Sequence, residues 1–371
     1  MRFSSRKWIV ALLGVLALCF LLYHFRGMMH LSGFSGAKLL HAVREANPLY
    51  LILAMVTIYV CYAVRALRWQ NFQKHVGPAK FWDVYGMTLA GFAAVFLLGR
   101  PGEPVRPVLL ARRGKIPIAD TFGIWALERL FDVASMAVIA AIALLIFKPA
   151  SHTGDAAGTV QRAAKTGGIV LSAGLAGAIA VLAYLRVHGS SVLERRLEGW
   201  LVAGGLRAQI AKVILGFIRG IQTVRSWGDL MSAVFYSGIH WFLVLVVYFL
   251  VARSFGGRLG EMTLSDCMLL LAFTLVGSVV QLPAVGGGSQ ALAIFAFTRV
   301  FGIESEPAVA AAIVLWLVTF AGCSLAGVPL LLHEGLSLGK LREFAEQEKE
   351  ELDEVVAGHA PESSRRGEVK E

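Results

Sequence analysis

Long apolar stretches alternate with short polar, basic segments along most of the chain. Residues 8–25, 49–64, 124–147, 169–185, 235–252 and 308–332 each approach the roughly 20 residues that a helix needs to cross a hydrocarbon core about 30 Å thick. The pattern predicts an all-α polytopic integral membrane protein. Two further apolar stretches are interrupted. Residues 82–99 contain Gly86, Gly91 and Gly99 and run into Pro101 and Pro104, while 264–301 carries Gln281-Leu282-Pro283 and Gly286-Gly287-Gly288-Ser289-Gln290 at its middle. Such breakers end helices, and non-helical backbone at membrane depth is tolerated only where protein or a polar cavity surrounds it.

Charge then orients the spans. Lys and Arg cluster in segments 1–7, 65–80, 100–115, 186–225 and 340–342, and such clusters collect on the cytoplasmic side. If all five lie there, both termini are cytoplasmic and 82–99 sits between two segments on the same side. It is then a re-entrant hairpin entering from the cytoplasm, while 264–301 has both ends outside. About six transmembrane helices plus two re-entrant or broken hairpins from opposite faces is the signature of an inverted repeat with a site where the breaks meet. The alternative is about eight plain transmembrane helices whose glycines serve close packing, at the expense of exporting one basic cluster.

Residues 1–339 read as a single integral membrane domain and 340–371 as a charged, partly disordered cytoplasmic tail. Within 186–230, a cytoplasmic loop, Ile210, Val213, Ile214, Phe217, Ile218 and Ile221 recur at helical spacing opposite Arg207, Lys212, Arg219 and Arg225, as in an amphipathic helix on the inner leaflet or against other loops. Arg2, Arg6 and Lys7 precede the first apolar stretch, but no small-x-small cleavage site follows, so that stretch is expected to stay as an anchor.

Composition agrees with this picture. Of 371 residues, 57% are hydrophobic and 16% charged, against about 25% charged in a soluble domain. The net charge is +10, and outside the acidic 340–371 tail there are 29 Lys/Arg against 15 Asp/Glu. That excess suits anionic lipid surfaces. The positives are spread over loops without aromatic interleaving, so nucleic acid is not an expected partner. Cys19, Cys61, Cys267 and Cys323 all lie in apolar runs without the spacing of a metal site or a disulfide framework. No metal and no cofactor is expected.

The richest stretch is Gly99-Arg100-Pro101-Gly102-Glu103-Pro104-Val105-Arg106-Pro107. Pro107 fits the first turn of a helix through 108–112. An anion there would meet free amides and the forked donors of Arg100 and Arg106, with Glu103 three residues from Arg106 to orient it or exchange partners. A cytoplasmic turn with snorkelling arginines is the plainer reading. Glu128, Arg129 and Asp132 interrupt an apolar helix over 117–147, and their three- and four-residue spacings place them within pairing distance. Ionisable groups inside a span point to function, although a structural ion pair at the headgroup level fits equally. Arg65, Arg68 and Trp69 close the second span, ordinarily as anchors, with a part in headgroup binding as the lesser reading. The break at 283–290 offers backbone amides and Gln290, as a headgroup receptor, a hinge or a packing site. His240 beside Trp241 reads as an interfacial histidine, and Asp266 as a helix cap. No Walker motif, dinucleotide fingerprint or nucleophile elbow occurs, so an enzyme is not expected.

These residues resemble the flippase-like transmembrane domain of lysylphosphatidylglycerol synthases, in its stand-alone form. The matching pieces are Arg68-Trp69, the 99–107 stretch, Glu128-Arg129-Leu130-Phe131-Asp132 and the break from Pro283, spanning roughly 8–335. The resemblance implies translocation of a polar or aminoacylated lipid between leaflets. Ser289-Gln290 stands where the family often has a glutamate after its C-terminal glycines, so no charge-based role is carried over there. No aminoacyl-transfer domain follows Leu332, so lysine transfer to lipid is not expected of this chain alone.

The expected function is therefore flipping of a polar or anionic phospholipid or lipid-linked substrate across the bacterial inner membrane. Arg68, Arg100, Glu103, Arg106, Glu128, Arg129, Asp132, Gly286, Gly287, Gly288 and Gln290 are the candidate substrate-binding residues. The alternative is a non-transporting membrane partner of a lipid-modifying or glycosyl-transferring enzyme, acting through the 186–230 loop and the acidic tail. Lipid transferase chemistry through Glu103 and Asp132 is a weaker third reading. The sequence leaves the oligomeric state, the lipid and the energy source open.

Overall fold

The computed structural model describes residues 44–99, 102–146, 162, 165–177, 226–278, 281–282 and 286–333. The first apolar stretch, Cys19, Arg100, Pro283, the 186–225 amphipathic segment and the 340–371 tail lie outside them. The described residues form α1 (Pro48–Gln73), α2 (Phe81–Leu98), α3 (Val105–Gly114), α4 (Ile118–Ile146), α5 (Trp227–Ser254), α6 (Leu264–Gly277), α7 (Gly288–Phe295) and α8 (Ser305–His333). A two-residue ladder of β1 (Gln281–Leu282) and β2 (Gly286–Gly287) joins α6 to α7. Helices α1, α2, α4, α5 and α8 are long and apolar enough to cross a membrane. The all-helical, polytopic character expected from the apolar pattern is what the chain has.

Local chemistry sets the helix boundaries. Asn47 accepts the Leu49 amide at 3.0 Å and Pro48 takes the first helical position of α1, where its missing N–H costs nothing. Capping boxes start α5 (Ser226 with Asp229) and α6 (Thr263 with Asp266), each satisfying two amides reciprocally. Asp266 is thus a cap, as its position suggested. Pro107 sits in the first turn of α3.

The elements repeat as long helix, hairpin, long helix: α1, α2/α3, α4 and then α5, α6/α7, α8. Helix α1 packs against α5, α2 against α8, and α4 against α6, so each part of one half meets its counterpart or the reciprocal part of the other. The halves are inverted. Asn47 N–H donates to the Ser254 carbonyl at 2.7 Å at one end of the α1–α5 pair, and Asn71 Nδ2 donates to the Asp229 carbonyl at 3.2 Å at the other. These helices therefore run antiparallel.

Each hairpin returns to the end it came from. In the first, Arg113 near the end of α3 pairs with Asp83 near the start of α2 at 2.9 Å. In the second, Arg258 before α6 donates to the Gly302 carbonyl after α7 at 2.7 Å. Since Asp83 follows the end of α1 and Arg258 follows the end of α5, the antiparallel pairing puts the hairpin bases at opposite ends of the bundle. Glycines set the closeness of the arms. A Cβ on Gly91 would run into Arg106, one on Gly102 into the backbone of Ala94, and one on Gly277 into the backbone of Gly288.

Several boundaries differ from the hydropathy pattern. Helix α1 continues to Gln73, nine residues past the expected end at Val64, and α5 begins at Trp227 rather than Phe235. Charges that would end a span in lipid are matched here across the bundle, so the helices continue. Residues 165–177, which include the start of the 169–185 stretch, are helical, and Gly168 comes close to Leu145 of α4. One core cluster joins α1, α5, α6, α7 and α8, and a second holds the first hairpin against α1 and α4. Cys61, Cys267 and Cys323 are buried free thiols in the first of these.

Candidate functional site

Helices α1, α3, α4 and α5 converge on a buried ionic cluster. Arg65 and Arg68 lie three apart on α1, Glu128, Arg129 and Asp132 on one stretch of α4, and Arg106 in the first turn of α3. Arg68 and Glu128 have no solvent exposure, and Arg65, Arg106 and Asp132 are also buried.

The carboxylates are shared among the arginines. Glu128 Oε1 lies 2.8 Å from Arg65 Nε and 2.9 Å from Arg68 Nη2, and Oε2 lies 2.6 Å from Arg106 Nη1. Asp132 Oδ1 accepts from Arg68 Nη2 at 2.7 Å, while Oδ2 sits 2.5 Å from Arg65 Nη2 and 3.0 Å from Arg129 Nη2. The Arg106 guanidinium also stacks over Trp69, 4.7 Å from the ring centroid, and Arg65 lies 5.0 Å from that of Phe92, contacts that favour a cation. Removing ions from water is expensive unless their partners are close and well placed, and the shared carboxylates meet that condition.

Helix α5 completes the cluster. Arg68 Nη1 donates to Ser237 Oγ at 2.9 Å. His240 Nε2 is 3.2 Å from Arg65 Nη1, and Nδ1 is 3.4 Å from the Cys61 carbonyl. An Nε2 facing a guanidinium accepts, so Nδ1 carries the proton and donates to Cys61, an assignment made by the network. The expectation of an interfacial histidine is corrected here: His240 is 4% exposed and well inside α5. Arg65 is likewise a full member of the cluster rather than an interfacial anchor.

A cavity of about 400 Å³ opens beside the cluster and is bounded by both hairpins. Gly91, Phe92, Val95, Glu103 and Arg106 line it from the first, and Thr274, Leu275, Ser278, Ser289, Gln290 and Ala293 from the second. Arg65, Arg129, Asp132, Trp241 and Tyr248 add the long helices' share, and Trp316, Thr319 and Phe320 that of α8. Thr319 and Phe320 belong to a π-helical turn, Leu317–Ala321, inside α8, and Tyr62 Oη donates to the Thr319 carbonyl at 3.1 Å. Such turns interrupt the regular ladder and are frequent at functional sites.

Of the residues singled out from the sequence, Glu103, Arg106, Arg129, Asp132 and Gln290 face this cavity. Arg68 and Glu128 stand behind them as partners. Arg106 forms an ion pair with Glu128, across to α4. Gly286 and Gly287 form β2 and pair with Gln281 and Leu282, while Gly288 opens α7 against Gly277. These three glycines shape the turn, and the cavity wall is built by the residues that follow. Gln290 Oε1 accepts from the Gly287 amide at 2.5 Å. Trp241, Tyr248, Thr274 and Ser278 are lining residues that the sequence reading did not assign to a site, and Arg65, weighed there chiefly as an anchor, lines it too. Among the described residues, no group of three or more His, Cys, Asp or Glu could hold a metal ion.

The electrostatic balance is positive. Four guanidinium groups face Glu128 and Asp132, and counting Glu103 at the cavity wall still leaves one positive charge over. A mostly apolar crevice with surplus guanidinium in a low-dielectric surrounding attracts anions.

Comparison with known proteins places the chain among membrane proteins. The chain is 21% identical over 321 residues to a UPF0104 membrane protein from Methanothermobacter thermautotrophicus, an alignment covering 81% of this chain and 89% of that one. Residues 8–327 match the family described as the lysylphosphatidylglycerol synthase TM region. With most of its length matched, the chain belongs to that family of membrane proteins.

Proposed function

We propose that the protein translocates a polar or anionic phospholipid, or a lipid-linked substrate, between the leaflets of a bacterial inner membrane. The carrying observation is that one cavity is walled by two hairpins whose bases lie at opposite ends of the bundle. A headgroup held there can be reached from either face by rearranging one hairpin at a time, which is the logic of alternating access in inverted repeats. The acyl chains stay in the bilayer while the headgroup passes along the crevice. Arg106 and Arg129 engage the headgroup, and Glu128 and Asp132 hold the arginines in place when it leaves. The role is transport rather than catalysis, because both buried carboxylates are committed to guanidinium partners and so are poorly placed as acid or base. The basic end at Lys80 and Lys115 faces the cytoplasm, following the bias of positive charge.

The test is a leaflet-resolved assay in proteoliposomes. Arg106→Ala or Arg129→Ala should abolish appearance of the lipid in the far leaflet while expression and helix content stay intact. Undiminished translocation in both variants would reject the site.

A further inference from the structure

Resting on that transport reading, we infer that the π-helical turn of α8 is the joint between the two hairpin gates, and that Tyr59 and Tyr62 of α1 lock it. Ser305–Trp316 and Gly322–His333 are regular α-helix, while Leu317–Ala321 between them is π-helical, with the Gly322 N–H donating to the Leu317 carbonyl five residues back. Thr319, the middle residue of the turn, is also the midpoint of the 29-residue span. The turn therefore lies at mid-span, where Thr319 and Phe320 line the cavity.

The two regular pieces of α8 attach to different hairpins. Ser305–Trp316 packs against α7, the returning arm of the second hairpin. Gly322–His333 packs along α2, the entering arm of the first, so closely that a Cβ on Gly327 would run into the Leu89 backbone. The change of partner falls at the turn, where Phe96 of α2 meets Trp316 with ring centroids 5.7 Å apart. If α8 were one rigid rod, movement of either hairpin would drag the other. A π-turn holds one residue more than an α-turn and interrupts the regular ladder, which is where a helix bends.

Two tyrosines, three residues apart on α1, grip this turn. Tyr62 Oη donates to the Thr319 carbonyl at 3.1 Å, and Tyr59 Oη to the Gly322 carbonyl at 2.8 Å, which are carbonyls within and just past the altered ladder. The Tyr62 ring also lies 5.0 Å from that of Phe92 on the first hairpin, and Phe92 lines the cavity. Movement of that hairpin thus reaches the lock directly, and releasing the tyrosine hydroxyls frees the joint.

The experiment reads the joint by cysteine accessibility, which requires no transport. Ser289→Cys, on the cavity wall of the second hairpin, is placed in full-length protein without native cysteines, reconstituted in lipid nanodiscs and labelled with a polar maleimide. Tyr62→Phe keeps the ring on Phe92 but deletes the hydroxyl, and should speed labelling several-fold, the population change that loss of one hydrogen bond allows. Deleting Leu317, which is 44% exposed and not part of the cavity wall, removes the extra residue of the π-turn while keeping the register of both flanking pieces, and should slow labelling several-fold. Melting temperature checks both folds, and if the deletion fails to fold, Tyr62→Phe alone decides. Unchanged labelling overturns the joint. Translocation of phosphatidylglycerol in proteoliposomes, run in parallel, separates the two readings: loss in Arg106→Ala with a full rate in the Leu317 deletion overturns the joint and leaves transport standing, whereas the expected labelling changes with no translocation by any protein support the joint and count against transport.

Discussion

Glu128 Oε2 lies 2.6 Å from Arg106 Nη1, and this contact ties the returning arm of the first hairpin to α4. The other oxygen of the same carboxylate serves Arg65 and Arg68 of α1. Arg106 is the member of the cluster that the hairpin carries, so any movement of the hairpin relative to α4 must stretch or exchange this pair. On the proposed transport reading, a headgroup phosphate takes the place of Glu128 on Arg106, which couples substrate binding to hairpin position.

Replacing Glu128 by Ala leaves three buried arginines sharing one fewer carboxylate. Breaking a buried pair from one side costs about 3–5 kcal/mol, so Glu128→Ala should lower the melting temperature sharply in detergent. A bound phosphate lipid should restore part of that loss by neutralising the orphaned guanidiniums. No change in melting temperature would mean that the carboxylate does not hold the cluster together.

Gly91 in α2 and Gly277 at the end of α6 each lie against the opposite arm of their hairpin. Gly91→Ala pushes on Arg106 and Gly277→Ala on the backbone of Gly288. Overpacking of this kind costs about 1–3 kcal/mol, and both variants should lose stability and transport together. Gly123→Ala and Gly238→Ala meet nothing within 4 Å and serve as controls that should retain both.

Asp229 closes one end of the α1–α5 pair. It caps α5 with Ser226 and pairs with Lys74 and with His75 Nε2, the latter at 2.9 Å. Asp229→Asn should destabilise by about 1 kcal/mol, mainly through the weakened cap, since Lys74 is 44% exposed and a pair this solvated contributes little. Thermal unfolding checks the size, and translocation by the variant should persist.

Much of the architecture was legible because lipid imposes a simple rule: spans are apolar and long, and breaks are rich in Gly and Pro. That rule located α4, α8 and both hairpins, and the basic segments implied that Lys80 and Lys115 share a side. It failed at Arg65 and His240 for one physical reason. Hydropathy ends a span at its first charge, but Arg65 is neutralised by Glu128 and Asp132 on another helix, a partnership that sequence separation conceals. The apolar and hydroxyl part of the lining, Tyr248, Thr274 and Ser278, carries no signal to set it apart from ordinary helix packing. Arg106 was legible as a site residue, but its pairing with Glu128 was not, because the packing of α3 against α4 is a tertiary contact that spacing along the chain does not show.

The account rests on two hairpins opening to opposite faces of the membrane, and single cysteines at their bases test this directly. In a background without native cysteines, Lys80→Cys and Lys115→Cys mark one end of the bundle, and Glu261→Cys and Glu304→Cys, all at exposed positions, mark the other. With a membrane-impermeant maleimide applied to intact cells and to inverted vesicles, the first pair should label only in the vesicles and the second pair only in the cells. Labelling of Lys80→Cys and Lys115→Cys from different sides would contradict the hairpin and, with it, the shared crevice.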